Sequence, residues 1–268
     1  MSRATSIQPR KPRFDFSAVP RDWLARMVSE MEADPGVGLL ANLFVGRGEE
    51  TLGATLECLH LAGPIAGAIA VTQELGPNAI AVGKSVMFRR SVFDGLGGFA
   101  SVGAVLAEDY VMMRMFAAAG LRVKLAPVLV DNVVSHIGVR QFLARHVRWS
   151  LIRSRVNPLL YLGEPLVNPM TLVALAPASG DLAPLLAFTG LSLTLARDAV
   201  QWTRLRGREG LLAALPLGPV KDALMLGVWA VAPFLTRVRW RGRSYHVGAG
   251  TRLYAGQSMA APEVLEWE

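Results

Sequence analysis

Cysteine is almost missing, with Cys58 the only one in 268 residues. One thiol excludes an intrachain disulfide framework and the cysteine-rich zinc sites, and it suits a reducing, cytosol-facing catalytic part. Charge is scarce too: charged side chains make up 18% of the sequence, against about 25% in an ordinary soluble domain. Histidine is thin and scattered, since His60, His136 and His246 share no spacing and His146 sits inside a basic run. That pattern argues against a histidine metal site. Residues 1–13 are basic and polar without an apolar core, so they hold neither a secretory signal nor a spanning helix and read as a disordered leader. There is no aromatic-interleaved basic platform or fingerprint for nucleic acid, so the net charge of +7 does not point to nucleic acid as a partner.

What is present is mostly apolar. Hydrophobic residues reach 52%, and mean hydropathy is +0.35. Acids lie mostly before Asp131, while basic residues crowd positions 140–155, 204–208 and 237–243. Basic clusters flanking apolar runs suit anionic headgroups or phosphates.

The front half alternates helical and strand-like patterns, which predicts an α/β fold class. Val19-Pro20 leads into a helix with Trp23, Met27 and Met31 at helical spacing. Val37–Val45 reads as a buried strand between glycines, and Glu50–Leu61 as a second helix, with the small residues Gly63–Ala70 left unassigned. Ala79–Val82 and Ser85–Phe88 predict strands around a Gly83-Lys84 break, and Ser91–Leu96 a short helix before Gly97-Gly98. Glu108 opens a helix whose apolar face is Val111, Met112, Met115 and Phe116 and whose stop is Gly120; Leu121–Leu125 alternates as a strand.

The back half is read from length and charge. Segment 139–158 predicts an amphipathic interface helix. Apolar stretches at 159–179 and 182–196 approach the roughly 20 residues a span needs. With arginines before the first and after the second, they form one out-and-back pair if positive charge stays cytoplasmic. Lys221 and Asp222 are expected to split 211–235 into two pieces too short to span, a re-entrant or interfacial hairpin, because mid-membrane charge is expensive. A single kinked span is the competing reading. Residues 237–268 are expected as a cytosolic tail.

Two constellations carry chemistry. Asp109, supported by Glu108, opens a helix after the small-residue loop Phe99–Ala107; acids there are favoured by the helix dipole alone, yet the loop leaves the carboxylate open to a cleft. In Arg145-His146-Val147-Arg148-Trp149 a guanidinium suits phosphate oxygens and an indole suits a flat ring. For a transferase reading, Asp109, Arg148 and Trp149 must converge on one cavity at the bilayer's edge.

The chain resembles the ceramide glucosyltransferase family, family 2/21-like glycosyltransferases that include bacterial hopanoid-associated enzymes. The residues that carry the resemblance are Val19-Pro20-Arg21-Asp22-Trp23-Leu24, Gly83–Arg90 with Gly97-Gly98-Phe99, Ala107-Glu108-Asp109-Tyr110, Arg145–Trp149, Gly163-Glu164-Pro165 and Val238–Tyr245. It implies a cytosol-facing GT-A domain (here partial, 14–138) and membrane helices over 159–236. It also implies a UDP-sugar donor, a lipid hydroxyl acceptor, Mg2+ or Mn2+, and inversion at the sugar carbon. Asp109 matches the family's general base, and Arg145, Arg148 and Trp149 match the motif that closes on the diphosphate. The implied place is a multi-pass protein of the bacterial inner membrane. One departure stands out: where the family has an Asp-x-Asp metal motif just before Val-Pro, this chain has Phe14-Asp15-Phe16. Asp15 is then the one candidate metal carboxylate, and an N-terminally truncated enzyme that alone binds nucleotide-sugar weakly or not at all is expected, its missing half supplied by a separate polypeptide if at all. The alternative, from another class, is an inactive membrane relative serving as subunit or scaffold.

Overall fold

The computed structural model describes residues 16–76, 82–240 and 243–255. The leader, Asp15 and residues 79–81 of an expected strand lie outside them.

Strand β1 (Phe16–Ala18) precedes helix α1 (Trp23–Ala33), which starts where the Pro20 carbonyl accepts the Trp23 N–H at 3.0 Å. Met27 and Met31 point into the core, as their spacing predicts. Strand β2 (Val37–Arg47) is buried along nearly its whole length, the mark of a central strand with both faces covered. Helix α2 (Leu52–His60), a π-helical turn at Leu61–Ile65 and α3 (Ala66–Leu75) follow as one apolar rod. Next come β3 (Val86–Phe88), α4 (Arg90–Gly95), α5 (Glu108–Ala118) and β4 (Arg122–Val133). The sheet order is β1-β4-β2-β3, with β2 and β4 parallel and β1 and β3 antiparallel at the edges. Helices cover both faces. Phe93, Met112 and Phe116 pack on Leu39, Ala41 and Val123, while Met27 and Met31 pack on Val37 and Leu40 opposite.

Three departures from the sequence reading have local causes. Strand β4 runs on to Val133, past Pro127, because the register with β2 shifts between Asn42 and Phe44. That irregularity places the proline, which lacks a ladder donor, where the Pro127 and Val128 carbonyls accept from Arg26 at 2.8 Å and Asn42 at 3.0 Å. Helix α5 buries Met113 beside Met112 and Phe116, so its inward face is rotated from the one expected. The unassigned Gly63–Ala70 is helical throughout, and Pro64, with no N–H to give, sits within the π turn.

The rod Leu52–Leu75 is long and apolar enough to cross a membrane, yet 61% of its apolar window is buried in the protein. At one end the Thr51 hydroxyl donates to the Ile137 carbonyl at 2.5 Å, beyond the end of β4. At the other, Gln73 accepts the Leu125 N–H at 2.8 Å, within β4. The rod therefore lies along the sheet, and its apolarity serves the core.

Helix α6 (Val139–Val156) buries Phe142, His146, Ser150, Leu151 and Ser154. This face packs against protein, with Phe142 among Ala54, Leu56, Trp202 and Ala214, so the helix expected in a membrane interface is a core helix on that side. The single span expected over 159–179 is broken: α7 (Pro158–Gly163) with its 3-10 extension to Val167 meets α8 (Met170–Leu175), extended to Ala178, at a 79° bend. Pro169 ends the first piece, and the Asn168 side chain accepts the Met170 N–H at 3.0 Å to start the second. Helix α9 (Ala183–Arg206) continues well past the stretch expected at 182–196. It closes on α8 at Gly190, where a Cβ would stand 2.6 Å from the Pro169 carbonyl oxygen.

Helices α10 (Leu211–Ala214) and α11 (Gly218–Val231), with 3-10 turns, make one helical run Leu211–Phe234. This corrects the expected split at Lys221 and Asp222. Both residues lie inside α11 and are buried, because α9 brings them partners: the Lys221 ammonium donates to both Asp198 carboxylate oxygens at 3.0 and 2.8 Å. Arg197 bridges Asp198 at 2.7 Å and Asp222 at 2.6 Å. Two cations meet two anions, so no net charge is buried there. A small antiparallel sheet, β5 (Arg237–Trp240), β6 (Arg243–Val247) and β7 (Leu253–Ala255), closes the chain. It packs on α6 through Val238, Val247 and Leu151.

Candidate active site

The helix dipole, the loop before β3 and helix α6 meet at the acidic pair. Asp109 lies in the first turn of α5; one carboxylate oxygen accepts the Gly83 N–H at 2.9 Å and the other the Tyr110 N–H at 2.8 Å. The Gly83 loop is held in turn by its neighbours. Lys84 donates to Asn132 at 2.8 Å, and the Ser85 hydroxyl donates to Asn42 at 2.6 Å. Val82, next to Gly83, packs in the same cluster as Trp149, with Phe44, Leu61, Ile69 and Val130. Two consecutive residues thus touch the indole's surroundings and the Asp109 carboxylate.

Arg148, on α6, lies close enough to Glu108 for their charges to interact. It is half-buried, and among the described residues it makes no hydrogen bond or ion pair. Burial lowers its pKa, as does Arg145, while Glu108 works the other way. Glu108 carries the complementary record: burial raises its pKa, Asp109 raises it further, and Arg148 opposes the rise. The two groups feel each other without pairing, which leaves the guanidinium's donors open to an incoming anion.

Arg145 is placed differently. Its guanidinium donates to Glu57 at 2.7 Å, and His146 meets the other Glu57 oxygen at 2.8 Å. Glu57 has no exposed surface, and the sequence reading passed over it; the signal was a lone carboxylate inside the apolar run Leu56-Glu57-Cys58-Leu59. Among the described residues no group of three or more histidine, cysteine, aspartate or glutamate side chains is placed to hold a metal ion. The Mg2+ or Mn2+ that the resemblance implies needs only one or two carboxylates together with phosphate oxygens and water.

The profile of glycosyl transferase family 21 matches residues 17–253. The chain belongs to glycosyl transferase family 21. This family 21 protein is thus a glycosyltransferase, and the matched span holds Glu57, Glu108, Asp109, Arg145, Arg148 and Trp149, whereas Asp15 precedes it. Within the matched span, the Val82-Gly83 loop touches the cluster that holds Trp149 and the Asp109 carboxylate, and Arg148 interacts by charge with Glu108.

Proposed function

We propose that this glycosyltransferase moves glucose or a related sugar from a UDP donor to the hydroxyl of a membrane lipid, a ceramide, diacylglycerol or hopanoid-like alcohol, with inversion at the sugar carbon. The observation that carries the reading is Arg148, half-buried, without a hydrogen bond or ion pair among the described residues, and near enough to Glu108 for their charges to interact. In the reaction the acceptor oxygen bonds to the anomeric carbon while the bond to the diphosphate breaks and its electron pair leaves with the nucleotide. Asp109 takes the acceptor's proton, its carboxylate steadied by the Gly83 N–H. Arg148 stabilises the charge that grows on the departing diphosphate, more in the transition state than in the ground state. Trp149 offers its indole to the donor's flat or apolar parts, and Arg145 supports the same helix turn. A divalent ion, when bound, supplies further charge to the diphosphate. A GT-A type of domain suits this assembly.

The acceptor requires a membrane, and the apolar surface fits one. The run Leu211–Phe234 is long and apolar enough to cross a bilayer, with only 28% of its apolar window buried in the protein, and it leaves Leu212 and Phe234 more than four-fifths exposed. Attachment through this surface, with the catalytic part in the cytosol, lets a lipid hydroxyl reach Asp109 without leaving its leaflet. The test is transfer of label from UDP-glucose into solvent-extractable lipid by membranes carrying the chain. Asp109→Asn is expected to lower transfer by about 10²- to 10⁴-fold, with UDP binding retained. Equal transfer by both proteins removes Asp109 as the base.

A further inference from the structure

We propose that Glu57 is a positioning residue of the donor site: its buried carboxylate fixes the turn of α6 that presents Arg148 and Trp149. The proposal rests on the reading of that pair as donor-binding. Each carboxylate oxygen has its own partner, Arg145 at 2.7 Å and His146 at 2.8 Å, consecutive residues on α6. Consecutive helical residues point about 100° apart, so gripping both fixes the rotation of α6 about its axis as well as its distance from α2. The residues one turn on inherit that rotation. His146 passes it along directly, since its ring stands edge-on to Trp149 with centroids 5.2 Å apart and is flanked by Phe142 at 4.6 Å and His60 at 4.4 Å.

Geometry on the other side supports the same reading. Helix α2 packs backbone to backbone where α6 begins, because a Cβ on Gly53 would fall 2.3 Å from the Gly138 carbonyl carbon. Thr51 caps α2 by accepting the Ala54 N–H at 3.2 Å while holding Ile137. The carboxylate therefore stands on a fixed base. A salt bridge placed only for stability is a poor use of a buried site, where desolvation offsets most of the Coulomb gain; one that orients a ligand-binding turn has a functional reason to persist.

The experiment is a double-mutant cycle on the full chain in lipid nanodiscs, titrating UDP into the millimolar range by calorimetry. Glu57→Gln is expected to weaken UDP binding about tenfold, in keeping with the loss of an orienting partner. In an Arg148→Ala background the same change is expected to add nothing, because its effect runs through Arg148. His146→Gln, which keeps the Arg145–Glu57 pair and the buried charge balance, is expected to weaken binding about threefold and to be equally non-additive. Losses that add across the cycle, or Glu57→Gln and His146→Gln proteins that bind UDP like the parent, overturn the positioning role while leaving the donor site standing. A parent protein that takes up no UDP at all sinks the donor-site reading and the positioning role with it.

Discussion

Arg148, half-buried, and Glu108, partly desolvated on an exposed helix start, show how neighbouring charges can sit unpaired. Two opposite charges near each other would ordinarily pair; here they do not pair with each other, and partial desolvation outweighs the backbone hydrogen bond of Glu108 and the opposing charge, so Glu108 is shifted up and Arg148 down. A carboxyl whose folded pKa is raised above its ordinary 4.5 gives a stability contribution that is fully present below that value and is lost as pH rises through the folded pKa. Glu108→Gln is therefore expected to raise the unfolding temperature slightly at pH 7 and to leave it unchanged near pH 4, the pair of measurements that checks it. A lower unfolding temperature at neutral pH would mean that Glu108 is a net stabilising partner of Arg148. Asp109 was legible in the sequence as a helix-start acid, and Arg148 and Trp149 as a cation and an indole. Glu57 was not, because a carboxylate inside an apolar run has no periodicity to betray its partner on another helix.

Among the helices, the instructive case is α11. Lys221 and Asp222 looked like breakers because an isolated charge in an apolar helix is costly; the price was removed by Asp198 and Arg197 from α9, which no reading of one segment can supply. Removing one member should expose the cost. Lys221→Met is expected to destabilise the protein by about 3 to 5 kcal/mol by leaving a buried carboxylate uncompensated, followed by thermal unfolding in detergent. The double variant Lys221→Met, Asp198→Asn is expected to recover part of the loss, and a single variant as stable as the parent would contradict the network's role. Helix α1, strand β2 and helix α5 were readable from spacing because their burial is set by one amphipathic pattern each. The rod Leu52–Leu75 was readable only as far as Leu61, since beyond it the small residues Gly63 and Gly67 owe their place to close approach by Asp198 and Gln201.

Taken together, the chain puts both ends of the apolar run Leu211–Phe234 against the α/β part. Arg206 binds Glu49 at 2.6 Å just before the run Leu211–Phe234, and Val238 packs on Leu151 just after it. This predicts that Arg208 and Arg237, both exposed, lie on one side of the bilayer. Cys58 is buried, so Arg208→Cys and Arg237→Cys can each be probed with an impermeant thiol reagent in sealed vesicles of known orientation. Both are expected to react from the same face, and reaction from opposite faces would mean that the helix crosses.

The alternation of strand and helix, the acid at a helix start, the Arg145–Trp149 cluster and the apolar back half all follow from residue order, because propensity, spacing and polarity are local properties. Which carboxylate grips which cation is not local. Glu57 on Arg145 and His146, Asp198 on Lys221, and Val82-Gly83 between Asp109 and Trp149 exist only once the sheet and its helices bring remote segments within hydrogen-bond distance. Burial then removes the water that would otherwise compete for those same groups.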